Sequence, residues 1–219
     1  MDKIIKVTGR GNATVTPDLM CLNIRLESLH KEYDVTLQQS SKMTQSLREI
    51  LEAAGFAKEE LKTTHFDIHA VNENVQTEDG NWKQQLKGYQ FEHSFKVEFL
   101  VDNARLGKIL YALANSELCP ILSIQYTVSD VESLKNKLLG QAVKDAKEKA
   151  KIIAEAAEVQ LGSIAAIDYS WEEKDIFTSP VEQMELARCM SRAEESYDLN
   201  LQADDIRLTD TITVTWKLS

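Results

Sequence analysis

Hydrophobic and polar residues alternate along residues 5–15, near the start of the chain. One face of this segment carries Ile5, Val7, Ala13 and Val15, and the other carries Lys6, Thr8, Arg10, Asn12 and Thr14. A period of two residues predicts a half-buried β-strand. The same alternation covers residues 20–27, and Thr16-Pro17-Asp18 between the two segments is typical of a turn. The pattern therefore predicts that the two strands form a hairpin.

Two shorter segments have the periodicity of helices. Residues 34–54 carry an apolar stripe that ends before Gly55, a residue that commonly stops a helix. Asp102 is placed to cap a short helix that carries Leu106, Ile109, Leu110 and Leu113.

The longest predicted helix begins at Ser129 and Glu132, which have the spacing of a capping box. It continues for about 28 residues without a proline and is predicted to end at Leu161-Gly162. Its apolar stripe consists of Leu134, Leu138, Ala142, Ala146, Ile153 and Ala157. Because several of these residues are small, we expect the helix to lie close against a sheet.

Strand alternation returns in five further segments, at residues 61–71, 89–101, 120–128, 164–171 and 206–218. The first two are predicted to be joined by a long polar hairpin loop, with a turn at Asp79-Gly80. The element order predicts an α+β fold, a mainly antiparallel sheet with one long and two shorter helices packed on one face. Similar passages from helix to strand in the two halves indicate an internal pseudo-repeat.

An acidic segment interrupts this pattern at residues 172–205. It contains ten acidic and three basic residues, and so holds −7 of the chain's net charge of −10. We interpret residues 1–219 as one domain in which this segment is a mobile insertion. Inside it, Ser179-Pro180-Val181-Glu182 predicts the start of a short helix bearing Met184, Ala187 and Met190.

The charge and composition exclude several classes of function. A net charge of −10 argues against binding to nucleic acid or to an anionic membrane. The sequence has no apolar run long enough for a transmembrane segment, and "MDKIIKVTGRG" leads into strand alternation without the apolar stretch of a secretory signal. Both observations predict a cytoplasmic protein. A periplasmic or cell-envelope location is the alternative if a signal peptide was removed. Cys21, Cys119 and Cys189 are predicted to be reduced thiols.

Gly9-Arg10-Gly11 is a candidate phosphate-binding loop. A dinucleotide-binding motif needs a third glycine and the start of a helix, whereas here the third position is Thr14 and the strand continues. Both glycines lie in phase with Val7 on the apolar face. They are therefore predicted to leave a notch in the sheet that another part of the chain fills.

Four histidines are candidates for metal binding or proton transfer. His65, Asp67 and His69 alternate along a predicted strand and include ligand types of zinc and non-haem iron. A solvated strand face is the simpler interpretation. His93 lies in phase with phenylalanines and is predicted to be a core or interface residue with bonded nitrogens, and His30 lies at a strand end.

The catalytic inventory is otherwise empty. The sequence contains no Gly-x-Ser-x-Gly motif and no cysteine beside a histidine or a basic cluster. We therefore predict no catalytic, cofactor-binding or metal residues and no cofactor. Trp216 is expected in the core, whereas Trp82 and Trp171 adjoin polar loops and are expected to be partly buried, with an interface as the alternative.

Three segments, in order, resemble the SIMPL-domain family. "VTGRGNATVTPDLMCLNIRL" is similar to its opening strand with Gly-x-Gly and Pro-Asp, "LLGQAVKDAKEKAKIIAEAAEVQLGSIAAI" to its long alanine-rich helix, and "TDTITVTWKL" to its closing strand. The resemblance implies an α+β fold, homo-oligomers, no agreed enzymatic activity, and links to stress tolerance in some bacterial members. Many bacterial members begin with a secretion signal and carry a Pro/Gly-rich segment before the last strand, and this chain shows neither.

The sequence as a whole predicts a non-enzymatic, oligomeric binding or assembly protein, with other copies of itself or another protein as partners. The alternative is a metal-binding protein or metal-dependent enzyme that uses His65, Asp67 and His69. A ligand carrier with a pocket between the long helix and the sheet is a third hypothesis, without specific support in the sequence.

Overall fold

A computed structural model describes residues 3–76, 78–169, 176–178, 181–185 and 201–219, and of residues 181–185 it describes the backbone. The strands in this part of the chain are β1 (Ile4–Val15), β2 (Leu19–His30), β3 (Lys62–Gln76), β4 (Trp82–Leu100), β5 (Ile121–Thr127), β6 (Leu161–Asp168), β7 (Val181–Glu185) and β8 (Ile206–Leu218). The helices are α1 (Tyr33–Ala53), α2 (Asn103–Ala114) and α3 (Val131–Ala156), with a short 3₁₀ turn at Lys58–Glu60. None of these helices is both long and apolar enough to cross a membrane.

The strands form two antiparallel sheets, which confirms the predicted α+β class. One sheet has the order β1-β8-β6 and the other the order β3-β4-β2-β5-β7. The chain divides into two compact units. Unit 1 comprises Met1–Asp18, Thr127–Thr178 and Ala203–Ser219, and unit 2 comprises Leu19–Tyr126 and Ser179–Gln202. The internal pseudo-repeat stays a prediction.

The predicted hairpin of the first two strands is wrong. β1 pairs with β8 along its whole length, from Ile4 opposite Lys217 to Val15 opposite Ile206. β2 instead pairs with β4 in the other sheet. A period of two residues shows which face of a strand is buried but does not identify its partner, which is why the pattern alone misled. Thr16-Pro17-Asp18 is thus a connection between two sheets.

Asp18 is held by the residues that precede α3. The backbone N–H of Ser129 donates to Asp18 Oδ1 at 2.7 Å and the Ser129 hydroxyl donates to Asp18 Oδ2. These two bonds, that from the hydroxyl first, lower the pKa of the Asp18 carboxyl. Ser129 is therefore not the helix cap that the capping-box pattern predicts. Asp130 caps α3 by accepting from the N–H of Ser133 at 2.9 Å.

α3 also ends earlier than predicted. Its last residue is Ala156, and Glu158 adopts a left-handed conformation with φ of 55° before β6 begins at Leu161. The Leu-Gly pair therefore starts a strand instead of ending the helix.

The core of unit 1 lies between α3 and the strands β1 and β8. Its buried residues are Val7, Ala142, Ala146, Ala150, Ile212, Val214 and Trp216. Trp216 is 4% exposed, which confirms its predicted place in the core. The alanines allow the helix axis to come close to the sheet, as their small side chains predict.

The core of unit 2 lies between its sheet and the helices α1 and α2. The largest fully buried side chains include Phe91 and Phe95 of β4, Leu22 and Ile24 of β2, and Leu47 and Leu51 of α1. Asp102 caps α2 as predicted, by accepting from the N–H of Arg105 at 2.9 Å. The Arg105 guanidinium lies 3.7 Å from the centre of the Phe56 ring, and its Nη2 donates to the carbonyl of Gly55 at 3.0 Å.

The predicted long loop between β3 and β4 is wrong. β3 continues to Gln76 and β4 starts at Trp82, so the connection is short. The turn predicted at Asp79-Gly80 is confirmed, with a φ of 78° at Gly80. These strand extensions are exposed on both faces. Because neither face is buried, the sequence has no apolar alternation there that could identify them as strands.

The acidic segment contains a strand where a helix was predicted. Val181–Glu185 forms β7, which pairs with β5. Ala187 and Met190 of the predicted helix lie outside the described residues, as do Trp171 and Cys189. Ile176 is buried together with Val128 and Ile206, and its carbonyl accepts from the hydroxyl of Thr127.

Candidate functional site

Strand β3 forms one edge of the five-stranded sheet of unit 2. Its described neighbour is β4 on one side, and no described strand pairs with the other side. All 15 of its residues are exposed or half-buried. The end of β4 that pairs with it, residues 82–87, is exposed as well, so these two strand segments form an arm with solvent on both faces. We call this surface the β3 edge.

The face of the β3 edge on the α1 side is apolar. The strand register places Phe66 opposite His93, Ile68 opposite Phe91, and Ala70 opposite Tyr89. That this face is the α1 side follows from Thr36 of α1, whose hydroxyl donates to the carbonyl of Tyr89 at 3.2 Å, and from the contact of Tyr33 with the Tyr89 ring.

Apolar side chains continue towards the tip of the arm. Leu86 lies opposite Asn72, and Trp82 lies opposite Gln76. Trp82 is 70% exposed, Leu86 48% and Phe66 46%. The prediction that Trp82 is partly buried under a loop is therefore wrong, because the short turn places no described residue over it. Apolar side chains at this level of exposure are typical of interaction surfaces.

The opposite face of β3 carries His65, Asp67 and His69. His69 Nδ1 and Asp67 Oδ2 are 2.9 Å apart, and both side chains are about half exposed. The register places Asp67 beside Glu92 of β4, whose carboxylate brings further negative charge to this face. Among the described residues there is no group of three or more His, Cys, Asp or Glu side chains that could hold a metal ion. The three predicted ligands do not converge, because alternate residues of a strand project in parallel.

His93 lies beneath Phe66 and is held at both ring nitrogens. The hydroxyl of Thr44 donates to the Ser40 carbonyl at 2.8 Å, so its oxygen is left to accept from His93 Nδ1–H at 3.2 Å. Nε2 then accepts from the Thr63 hydroxyl at 3.1 Å. This confirms the prediction of a histidine with bonded nitrogens.

The surroundings of His93 favour the neutral form of its imidazole. Burial first, and the positive charge of Arg48 second, lower the pKa of His93 to about 4. The ring also lies 3.9 Å from the ring of Phe95 and 4.8 Å from that of Phe66, measured between centroids. A neutral ring with both nitrogens occupied supports the sheet and is not free to transfer a proton. The groove above it, between α1 and β3, has a volume of about 470 Å³.

Comparison with known proteins identifies the family. The SIMPL family model, described as a protein of unknown function (DUF541), matches residues 5–216. The chain belongs to the SIMPL family. The match covers strands of both units, as the three motifs in the sequence imply.

Two kinds of relative are similar to this SIMPL chain. The 26 kDa periplasmic immunogenic protein of Brucella abortus (strain S19) is 24% identical over 163 residues, which are 74% of this chain and 65% of that protein. The Brucella melitensis protein of the same name has the same identity and coverage. The uncharacterized protein YggE of Edwardsiella ictaluri is 21% identical over 215 residues, or 98% of this chain and 87% of that protein. The match to the Brucella proteins thus spans just under two thirds of their length.

The structure also places the glycine, His30 and cysteine candidates of this SIMPL chain. Gly9 and Gly11 face α3, so the predicted notch is confirmed. His30 Nε2 is 2.9 Å from the hydroxyl of Ser28 at the end of β2. Cys21 and Cys119 are free thiols, and burial raises the pKa of the Cys21 thiol to about 11, which makes it a poor nucleophile.

Sequence reasoning missed the β3 edge of the SIMPL chain. The signal was present in Phe66, Leu86 and Trp82, three large apolar residues in a polar stretch. Their meaning depends on which strands are neighbours, and the alternation pattern does not carry that information.

Proposed function

We propose that this SIMPL chain is a non-enzymatic assembly protein that acts by associating with further copies of itself. The observation that carries the proposal is the β3 edge, where β3 has no described partner on one side and the α1-side face exposes Phe66 of β3 and Leu86 and Trp82 of β4. Burying one such side chain is worth about 1.5–3 kcal/mol, so a contact that covers several of them offsets the entropy lost on association. The tendency to form homo-oligomers that the family resemblance implies supports the same conclusion.

Sedimentation velocity on the full chain tests this proposal. Between roughly 1 and 100 µM, a range in which moderate association is measurable, we expect the average mass to rise above that of the monomer. The variant Phe66→Gln should weaken association at least about tenfold, since buried aromatic side chains dominate interface energies. A mass that stays at the monomer value over the whole range contradicts the proposal.

The chain offers a matched control on another surface. Ile152 on α3 is 64% exposed and, like Phe66, is a large apolar residue. Ile152→Gln should leave the association constant unchanged. If Ile152→Gln weakens association and Phe66→Gln does not, the chain assembles through α3 and the β3 edge has another role.

The compartment is part of the same proposal. The free thiols Cys21 and Cys119 suit a reducing cytoplasm, whereas the name of the Brucella relatives places those proteins in the periplasm. We propose a cytoplasmic location. Fractionation of cells that express the native gene tests this directly, and recovery in the periplasmic fraction overturns it.

A further inference from the structure

The geometry points to an antiparallel pairing of β3 with β3 of a second copy, centred on Ile68, that joins the two five-stranded sheets. This inference rests on the proposed self-association and names the surface and the register through which it occurs. A twofold axis through Ile68 makes one strand run opposite to the other, and the same surface serves both copies, so the contact closes as a dimer. Each backbone group on the free edge of β3 then has a partner in the second copy.

The other edges of the described sheets are less suited to this contact. On β1, the N–H of Arg10 already donates to Asp145 Oδ2 of α3 at 2.7 Å, which occupies a donor of that edge. β6 has eight residues and two irregularities in its pairing with β8. β7 has five residues. β3 is the longest edge, and its pairing with β4 is regular from His65 to Val71.

The register follows from the side chains. Residues directly opposite each other in an antiparallel pair share a face, so the axis must pass through a residue and not between two. With the axis at Ile68, each Asp67 lies opposite His69 of the second copy. On the α1-side face, Ile68 meets its own copy and Phe66 meets Ala70, so apolar side chains cover one another.

An axis at a neighbouring residue loses either the Asp67–His69 pairs or the cover of apolar side chains by one another. An axis at Asp67 places the two Asp67 carboxylates opposite each other, which is repulsive. An axis at His69 moves Phe66 opposite the polar Asn72 and Asp67 opposite Val71. An axis at Ala70 places Asp67 opposite Glu73. Of the axes at Asp67, Ile68, His69 and Ala70, the one at Ile68 combines Asp67–His69 pairs on one face with an apolar cluster on the other.

Little of the chain's negative charge lies on the paired strand. The whole chain carries −10, but residues 65–71 contain one carboxylate, Asp67, and two histidines, and the neighbouring β4 adds Glu92 on the same face. The ladder also stays clear of the irregularity between Thr63 and His65 and of that between Val71 and Asn72. A regular stretch of seven residues on each copy is therefore available for pairing.

Cysteine trapping tests the register. We would substitute Ile68→Cys in a chain that also carries Cys119→Ser and Cys189→Ser, and oxidise it under mild conditions. Residues facing each other across an antiparallel pair lie about 4.5–5.5 Å apart at Cα, within the range of a disulfide. The matched variant Ala70→Cys lies on the same face, but its two copies would be about 13 Å apart. We expect a covalent dimer from Ile68→Cys and none from Ala70→Cys.

Each outcome of the trapping experiment is decisive. A dimer from Ala70→Cys and not from Ile68→Cys overturns the register. If neither variant is trapped while sedimentation shows association, β3 pairing is wrong and the proposed assembly function stands. If sedimentation shows a strict monomer, the β3 pairing and the proposed assembly function are both wrong.

Charge exchange between copies gives a second test, independent of oxidation. Asp67→Lys and His69→Glu alter exposed side chains and should leave the fold intact. Each variant alone places unfavourable or unpaired charges across the axis, and should associate roughly five- to tenfold more weakly than the unmodified chain. In an equal mixture, the introduced lysine of one copy lies opposite the introduced glutamate of the other, and the unchanged His69 lies opposite the unchanged Asp67. Association should therefore recover, and a mixture no stronger than either variant alone contradicts the pairing.

Discussion

β1 and β3 are both edge strands, with 12 and 15 residues. The edge of β1 is closed by contact with α3, whereas the edge of β3 is open, with no described strand beside it. On β1, Gly9 and Gly11 bring the strand so near α3 that an added Cβ would overlap the helix backbone at Ala142 and Leu138. Asp145 of the same helix accepts from the N–H of Arg10. β3 has no helix at this distance and no residue that is fully buried.

The difference shows how small residues decide what an edge strand can do. Glycine on the strand and alanine on the helix allow close contact between two backbones, and the helix then covers part of the strand edge. β3 has larger and more polar residues at the corresponding alternate positions, and no element in the described part of its unit covers its free edge. One edge is thus used within the unit and the other is available for association.

Gly9→Val should have the largest effect, because it removes the close contact that closes β1. A Cβ at Gly9 would lie 2.7 Å from the Cβ of Ala146 and would overlap the carbonyl oxygen of Ala142. Since both neighbours belong to a packed helix, we expect a loss of about 3 kcal/mol or more in the free energy of unfolding, measured by urea denaturation.

Gly140 provides the matched control on α3, because a Cβ there would have no neighbour within 4 Å. Gly140→Ala should be neutral or raise stability by up to about 1 kcal/mol through helix propensity. A Gly9→Val chain as stable as the unmodified protein would show that α3 does not lie on this face of β1.

A change of pH should have a smaller effect on the free energy of unfolding. It acts through His93, which lies beneath Phe66 of the β3 edge. The folded pKa of about 4 lies below the ordinary histidine value of 6.5, so between these pH values the unfolded chain binds more protons than the folded chain. This contribution to stability is complete above pH 6.5 and is lost as the pH falls towards 4. Allowing for partial exposure of the ring, we expect it to amount to about 1–2 kcal/mol.

Urea denaturation at pH 7 and pH 4.5 measures this loss, and His93→Gln serves as the comparison because other groups also titrate in the window. The variant should lose less stability than the unmodified chain over the same interval. Equal losses in the two proteins would mean that the His93 imidazole is not held neutral.

Substitution of Asp145 should have the smallest effect, which is limited to hydrogen exchange at the nearby Arg10 N–H. Lys149 donates to the carboxylate at 2.7 Å, and this bond first, then that from the Arg10 N–H, lowers the pKa of Asp145. Asp145→Ala should free the Arg10 N–H, so that its hydrogen exchange accelerates by roughly tenfold while global stability changes little. Lys149→Ala keeps the acceptor of Arg10 and should leave that exchange rate unchanged. Similar rates at Arg10 in all three proteins would show that Asp145 does not protect this edge.

Local periodicity was sufficient for much of the fold. The long alanine-rich helix, the cap at Asp102 and the inward-facing glycines were predicted because each depends on residues close in sequence or in phase with one another. The predicted hairpin failed because the partner of β1 is β8, about 200 residues away. Ser129 was taken for the cap because of its capping-box spacing to Glu132, but Asp130, one residue later, is an equally good cap former and holds that position.

The candidate site was less accessible to sequence reasoning than the fold. Exposed strands such as residues 72–76 have no buried face, so their alternation carries no hydrophobic signal. His65, Asp67 and His69 attracted notice as ligand types, but their parallel projection from one strand prevents convergence. What distinguishes β3 is the lack of a neighbour within the described sheet, which depends on the order of all five strands.

The pairing of β1 with β8 also constrains when unit 1 can form during synthesis. Ile4 lies opposite Lys217, so β1 must wait for β8, which is synthesised about 200 residues later. Leu19–Tyr126, which supplies most of unit 2, is complete long before then. We therefore expect a nascent chain to present a folded Leu19–Tyr126 segment while β1 is still unpaired, and loop closure over this distance to be the slow step of folding.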